Sequence, residues 1–516
     1  MKTLEKVTIL KNVGSSWFAL GVHVLTGIFL SPYILHRLGD QAFGLWILIF
    51  SVTGYYGLFD LGIRSSVVRY VAKYMATQEH DLLNRLVNTA AFAYGAIGML
   101  CLVVTIVGAK YVGAIFRVPA EFLETARWLF LMAGTSVALG FPLAVFGGIL
   151  EGMQRFYLLN LTSVLSTAAR ALLVVIALRH GYGLLTIALI TVALPLAAAA
   201  LNGLWAMHTL RVSFSLRYVD RSSFKRMANY SATTLMIITA GRLRFKTDAI
   251  IIGGLLSSAA ITYFTIGSRL IDYAGELVSS LAQIFVPMSS QSQAQGDHER
   301  LRKILIAGNR GCALIIFPIA AVLALLGKPV IEVWVGAKYV AASYPVLLIL
   351  LGPSTLMLAQ SASGRILWGM AKHRTLAWVV LAEGAVNAAL SVMLVRPYGI
   401  VGDAIGTAIP LALTMLFFMP HHICRLLQIR LGTYVRQAFL LPLILCGPLV
   451  LVLWILRQKF TAHNYFQLAV ELLICAAVYG SGLAWAVWTK RAWNVEGPSD
   501  AEQEEYSLSR MTHEHS

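Results

Sequence analysis

Apolar positions run through this chain in long blocks, without the alternation expected of half-buried strands or of helices with one wet face. Windows near twenty residues long recur along almost the whole sequence, which is the length a helix needs to cross a bilayer's hydrocarbon. We read fourteen of them, near 14–36, 42–63, 86–109, 127–149, 157–178, 183–207, 230–255, 259–286, 304–326, 340–362, 376–395, 400–420, 437–456 and 466–488. A soluble helical bundle would need a polar stripe on most of these segments. The pattern therefore predicts an all-α integral membrane protein.

Composition agrees. Of the 516 residues 58% are hydrophobic and 13% charged, with mean hydropathy +0.73, whereas soluble chains carry about 25% charged residues. The basic start "MKTLEKVTILKN" precedes an apolar run too long for a signal h-region and without a clear cleavage site, so the first span is expected to remain an anchor. Cys101, Cys312, Cys424, Cys446 and Cys475 have no ligand spacing and are expected to be small buried hydrophobes, with no metal or disulfide.

The basic residues orient the spans. With the N-terminus cytoplasmic, the segments "RSSVVRYVAKY", "EGMQR", "RVSFSLRYVDRSSFKR", "HERLRK", "GRILWGMAKHR" and "RLLQIRLGTYVR" share that side. About 25 of the 41 Lys and Arg lie there and about ten opposite, so the positive-inside rule puts both termini in the cytoplasm of a multi-pass protein of the inner membrane. The net charge of +17 then follows from topology and anionic lipid, and needs no nucleic acid. The acidic, polar tail over 494–516 is expected to be disordered and cytoplasmic.

The chain also repeats itself. "GDQAFGLW" (39–46) and "SSAAITYF" (257–264) lie 218 residues apart, and at that offset Tyr55 and Gly57 fall on Tyr273 and Gly275. "TQEHDLLNRL" falls on "QGDHERLRKI", "ILEGMQR" matches "ILWGMAK" at offset 217, and "GYGLLTIA" matches "PYGIVGDA" at 216. The expected organisation is a six-helix lobe over 1–215, a second over 216–430, two further helices within 431–490, and the tail over 491–516. Six is even, so both copies enter the membrane in one direction, as in transporters built from parallel repeats.

The segments "LSPYILHRLGDQAFGLWILIFSVTGYYGLFDLGIRSSVVRYVAKY" and "KTDAIIIGGLLSSAAITYFTIGSRL" resemble the bacterial polysaccharide or O-antigen flippases of the multidrug/oligosaccharidyl-lipid/polysaccharide exporter superfamily. The resemblance covers the chain to about residue 430. It implies two pseudo-symmetric lobes around a central cavity that alternates between membrane faces, and a cargo of isoprenoid pyrophosphate carrying sugars. Fourteen helices are also similar to the lipid II flippases, in which the last two helices border a lipid-facing groove. Coupling H⁺ or Na⁺ and other polysaccharide-assembly membrane proteins are the partners it implies, besides membrane lipid.

Six cations fall within predicted spans: Arg170, Arg242, Arg244, Lys246, Arg269 and Arg310. Each costs roughly 2.5–3.5 kcal/mol at a helix centre on insertion scales. Arg244 and Asp248 are four apart and read as a structural ion pair. Arg269, Asp272 and Glu276 form one polar stripe, and Arg310 is expected to snorkel from its span end. Arg242 and Lys246 share a face at i,i+4 and have no acid at i±3 or i±4. Their counterparts in the first copy are Val24 and Ile28. Cations that one lobe carries and the other lacks suggest a ligand, and Arg and Lys suit the oxygens of a pyrophosphate. We read Arg242, Lys246, Arg269 and Arg170 as candidates for the anionic headgroup. His23, Tyr55, Tyr56, Asp60 and Tyr273 are candidate polar or aromatic cavity residues, with packing the stronger expectation for the tyrosines.

No nucleotide-binding loop, metal cluster or nucleophile elbow is present in the sequence, so a transporter is expected, with no cofactor and no catalytic residue. A multidrug antiporter coupled to cations should carry acid in its cavity, yet span 1 has none between Lys11 and Asp40. The reading is a flippase of lipid-linked oligosaccharide; a lipid II flippase or a cation-coupled multidrug antiporter are the alternatives.

Overall fold

The computed structural model describes residues 2–210, 215–460 and 462–489; the tail expected to be disordered lies outside them. Among the described residues every regular element is a helix. The order is α1 (Lys2–Leu38), α2 (Asp40–Gly54), α3 (Ile63–Ala76), α4 (His80–Ile115), α5 (Leu123–Gly152), α6 (Phe156–Arg179), α7 (Leu184–Leu210), α8 (Arg221–Lys246) and α9 (Asp248–Leu255). There follow α10 (Ser258–Ala282), α11 (Phe285–Ala294), α12 (His298–Val335), α13 (Val340–Ala359), α14 (Ser361–Gly369), α15 (Arg374–Leu413), α16 (Met419–Leu427), α17 (Leu431–Lys459) and α18 (Tyr465–Trp488).

Eleven helical segments among the described residues are long and apolar enough to cross a membrane, against fourteen expected. The difference has two physical sources. The windows 376–395 and 400–420 belong to one helical stretch, Arg374–Leu427, which turns back on itself at Gly399 (φ 58°, ψ −141°). The windows 230–255 and 259–286 are helical, as α8, α9 and α10, but carry too many polar residues to count by hydropathy. The basic connections are helical too. α3 buries Ile63, Val67, Val71 and Tyr74 and leaves Arg69 and Lys73 exposed, the pattern of a helix lying along an interface.

Helix starts recur at the spacing of the sequence matches: His80 and His298, Leu123 and Val340, Phe156 and Arg374 open helices 218, 217 and 218 positions apart by number. Contacts, however, divide the chain at 262/263, into Met1–Thr262 and Tyr263–Ser516, and not at the repeat boundary of 215/216. The reason is that α8 and α9 pack in the first unit. Ser215 N–H donates to Asn88 Oδ1 (2.9 Å), Asp220 N–H to Thr89 Oγ1 (3.0 Å) and Arg117 N–H to the Gly253 carbonyl (3.1 Å). Met227 is buried in the same cluster as Val67, Val71, Leu86 and Ala90. The start of α10 joins this unit through Gly44, where a β-carbon would lie 1.7 Å from the Ser258 carbonyl oxygen. Only glycine fits that approach.

The second unit has one apolar cluster around Leu305, Ile316, Ala362, Ile366 and Ile423, and another where α17 and α18 lie on α12. Polar bonds fix that second seam. Asn309 Nδ2 donates to Ser363 Oγ (2.7 Å) and to Tyr434 OH (2.8 Å), and Tyr479 OH donates to the Leu314 carbonyl (2.7 Å). Arg310 does not snorkel: it is 5% exposed and its Nε donates to the Gln437 carbonyl at 2.8 Å. All five cysteines are buried and unbonded to one another.

Candidate functional site

The span predicted over 42–63 changes character before its end. α2 gives way at Tyr55 to a tight 3₁₀ turn, Tyr55–Asp60, and the chain then leaves through Leu61 (φ 50°) and Gly62 (φ 72°), two consecutive left-handed residues. In a 3₁₀ turn residues three apart eclipse, so Gly57 and Asp60 lie on one face. α8 packs against this turn and delivers Arg242 to it. The guanidinium fills the space above Gly57, where a β-carbon would meet its Nη2 at 2.7 Å, and its Nη1 lies 3.6 Å from the corresponding position on Gly54.

Tyr55 holds the same helix a turn further on. Its hydroxyl is 2.7 Å from Thr247 Oγ1 and 3.3 Å from the Arg242 carbonyl oxygen. Thr247 separates α8 from α9, and its Oγ1 also donates to the Leu243 carbonyl (2.7 Å), a back-bond that bends helices. Predicted as one span, 230–255 is thus two helices, jointed beside the cation pair and pinned there by Tyr55. Arg242 is half-buried, Arg244 is 8% exposed and Lys246 is exposed. Arg242 and Lys246 share a helix face as read, and Asp248 opens α9 from its first turn.

At the other end of the turn, Asp60 accepts a short hydrogen bond from Tyr94 OH on α4. Beyond it, Arg64 on α3 pairs with Glu151 on α5 at 2.5 Å. Burial lowers the affinity of Arg64 for its proton, but the fields of Glu151, Tyr94 and Asp60 and the Glu151 hydrogen bond outweigh it, so its pKa is raised. Tyr56 is 6% exposed, and its hydroxyl accepts from Thr105 Oγ1 at 3.1 Å. The turn therefore gathers Tyr55, Tyr56, Asp60 and Arg242 from the predicted set, and adds Gly57, Arg64, Tyr94, Glu151 and Thr247.

The other candidates belong to other elements. His23 is exposed on α1, and Arg170 is half-buried on α6, which packs on α1. Arg269 belongs to the second unit, 3.9 Å from Asp272 with its guanidinium 5.5 Å from the Tyr273 ring centre. Tyr273 is 7% exposed and packs edge-on against Trp334.

The second unit also holds an apolar groove of about 540 Å³, lined among others by Phe317, Ala321, Leu356, Met415, Phe439 and Leu443. It runs between α12, α13 and α17.

The family model described as "Polysaccharide biosynthesis protein" matches residues 34–344. The chain belongs to the polysaccharide biosynthesis protein family. That match takes in α2 through α12 and all of the Tyr55–Asp60 turn. Among relatives, the membrane protein EpsK of Bacillus subtilis (strain 168) is 25% identical over 449 residues, spanning 85% of this chain and 86% of its own. A Shigella flexneri protein named for O-antigen transport is 21% identical over 427 residues, 80% of this chain and 96% of its own. The solved lipid II flippase MurJ, in an inward closed conformation, superposes with a TM-score of 0.70 at 15% identity, covering 94% of this chain and 100% of that one. This family member is thus a multi-pass membrane protein with a transporter fold, and those of its relatives that are named for a function are transporters or flippases, not enzymes.

Proposed function

We propose that this polysaccharide-family transporter flips an isoprenoid-pyrophosphate-linked oligosaccharide across the cytoplasmic membrane by alternating access, with both termini in the cytoplasm. The observation that carries the reading is Arg242. It is a half-buried cation on a jointed helix, seated over a glycine, at a position that the other sequence repeat fills with Val24. A cation kept at such cost needs an anion, and a pyrophosphate offers oxygens in the geometry that guanidinium recognises. Lys246, one turn on, adds a point charge for the same group.

In this reading the headgroup meets Arg242 and Lys246 while the isoprenoid tail stays in lipid, where each methylene kept from water gains about 0.8 kcal/mol.

The test is the lipid-linked sugar pool of cells lacking this gene, complemented with wild type or with Arg242→Ala/Lys246→Ala. Accumulation of pyrophosphate-linked oligosaccharide on the cytoplasmic face, relieved by wild type and not by a well-expressed double variant, is the expected result. An unchanged pool with altered sensitivity to cationic drugs would overturn the reading. Rescue by the double variant would keep the cargo and remove these two residues from its site.

A further inference from the structure

We propose that Arg365 and Trp368, at the end of α14 in the second unit, form a subsite for an anionic pyranose, the ring lying on the indole and its carboxylate or phosphate on the guanidinium. That this sugar belongs to the cargo rests on the function proposed above. Each unit packs this part of its fold in the same register. A β-carbon on Gly152, the last residue of α5, would meet the Val68 carbonyl oxygen at 2.9 Å. One on Gly369, the last residue of α14, would meet the Val286 carbonyl oxygen at 2.5 Å. The two glycines are 217 positions apart and the two valines 218, so α3 on α5 and α11 on α14 are equivalent seams that can be compared position by position.

In the first unit this seam carries a neutralised cation. The Arg64 guanidinium lies 3.6 Å from where a β-carbon on Gly147 would stand, and it pairs with Glu151. In the second unit Ala282 stands at the position of Arg64, Trp368 at that of Glu151, and Arg365 at that of Gly148. A β-carbon on Gly148 would lie 3.6 Å from the Arg64 carbonyl oxygen and 3.1 Å from the Val67 side chain, so the register starts Arg365 toward Ala282 and Phe285. Both seams therefore hold an arginine, supplied from opposite helices, but the second has lost the acid. Arg365 makes no hydrogen bond or ion pair among the described residues. It does not snorkel either: Lys372 and Arg374, just beyond it, are exposed, whereas Arg365 is half-buried. A guanidinium withdrawn from water without an acid is uncompensated charge, and an anion from outside the chain would neutralise it.

Trp368 says what kind of anion. It lies three positions after Arg365, on the same face of α14, and is 42% exposed. The His373 ring stacks on it, with centroids 5.1 Å apart and planes 18° from parallel, which braces the indole from one side. The equivalent position in the first unit holds Glu151, half of an open ion pair. Charges so placed are solvated, so this side of the seam is wet, and an interfacial belt in lipid does not account for the tryptophan. A pyranose presents a face of C–H bonds that packs on the electron-rich face of an aromatic ring. One turn away Arg365 offers paired N–H donors to a carboxylate or phosphate. Together they select a sugar that carries negative charge.

The experiment uses the full chain in lipid nanodiscs with three probes, methyl glucuronide, glucose 1-phosphate and the uncharged methyl glucoside, their affinities ranked by saturation-transfer NMR titration. The two anions should bind about tenfold tighter than the glucoside. Arg365→Gln should remove that preference and leave the glucoside unchanged, and Arg365→Lys, which keeps the charge, should retain part of it. Trp368→Ala should weaken all three probes together, and Trp368→Phe should keep most of the affinity. A structural role for Arg365 would not separate charged from uncharged probes. The glucuronide binding tighter than glucose 1-phosphate assigns the anion to an acidic sugar of the glycan, and the reverse order assigns it to the phosphate linkage; either supports the subsite. Equal affinity for charged and uncharged probes, binding of none of them by wild type, or an unchanged preference in Arg365→Gln would overturn it. Probe binding with this pattern, in a protein whose loss leaves the cellular pool of lipid-linked sugar unchanged, would overturn the flippase reading and leave the subsite standing.

Discussion

The guanidinium of Arg242 occupies the place where Gly57 has no side chain, with Nη2 2.7 Å from where a β-carbon would stand. Gly54 lies one turn earlier and faces Nη1 of the same residue at 3.6 Å. The two glycines make a graded test of how closely Arg242 is positioned. Gly57→Ala must push the guanidinium aside, while Gly54→Ala makes ordinary contact. We expect Gly57→Ala to weaken farnesyl pyrophosphate binding by about fivefold, equivalent to about 1 kcal/mol, and Gly54→Ala to leave it within twofold, with both variants melting close to wild type. Equal binding by the two alanine variants would mean that the seat over Gly57 has no bearing on the ligand.

Tyr55 spans to the joint between α8 and α9 through Thr247. Tyr55→Phe keeps the ring and deletes that bond, for an expected loss of about 1 kcal/mol. Hydrogen exchange over 243–251 should quicken while the rest of the first unit is unchanged. Uniform quickening across the unit would mean that the hydroxyl holds the core as a whole instead of the joint.

The Arg64–Glu151 pair joins α3 to α5, with side-chain exposures of 46% and 24%. Its half-open position limits its worth to about 1 kcal/mol. Arg64→Ala and Glu151→Gln should each lower thermal stability slightly, and the exchanged pair Arg64→Glu/Glu151→Arg should recover most of the loss. A double exchange worse than either single variant would contradict the pairing.

Arg310 and Asn309 attach α17 to α12 through the Gln437 carbonyl and Tyr434. Asn309→Leu strands the Tyr434 hydroxyl and Ser363, both buried, and should cost about 2 kcal/mol. Arg310→Met removes the donor to the Gln437 carbonyl but also the desolvation penalty of the guanidinium, so the loss should be smaller. Detergent-solubilised melting curves compare them; a larger loss for Arg310→Met would show that the contacts of the guanidinium outweigh that penalty.

The sequence by itself determined the class, the family and the helices. A span satisfies its own backbone hydrogen bonds and is recognised by its apolar length, both local properties, so the windows 14–36, 86–109 and 466–488 read from the sequence fall within the helical spans Gly14–Leu38, His80–Ile115 and Tyr465–Trp488. It also marked Arg242 as unusual, because the repeat gave each position a counterpart. Tertiary structure decided which side chains meet. Tyr55 reaches Thr247 across 192 positions and Arg64 finds Glu151 across 87, and no periodicity reports how two helices are turned toward each other. The same limit explains Arg310: its depth along a helix was legible in the sequence, but its burial depends on α17 covering that face. It explains the grouping of α8 with the first unit as well. Apolar burial rewards contact in proportion to area and is indifferent to direction, so the shape of the packed neighbours, which only the folded chain possesses, chose the partner.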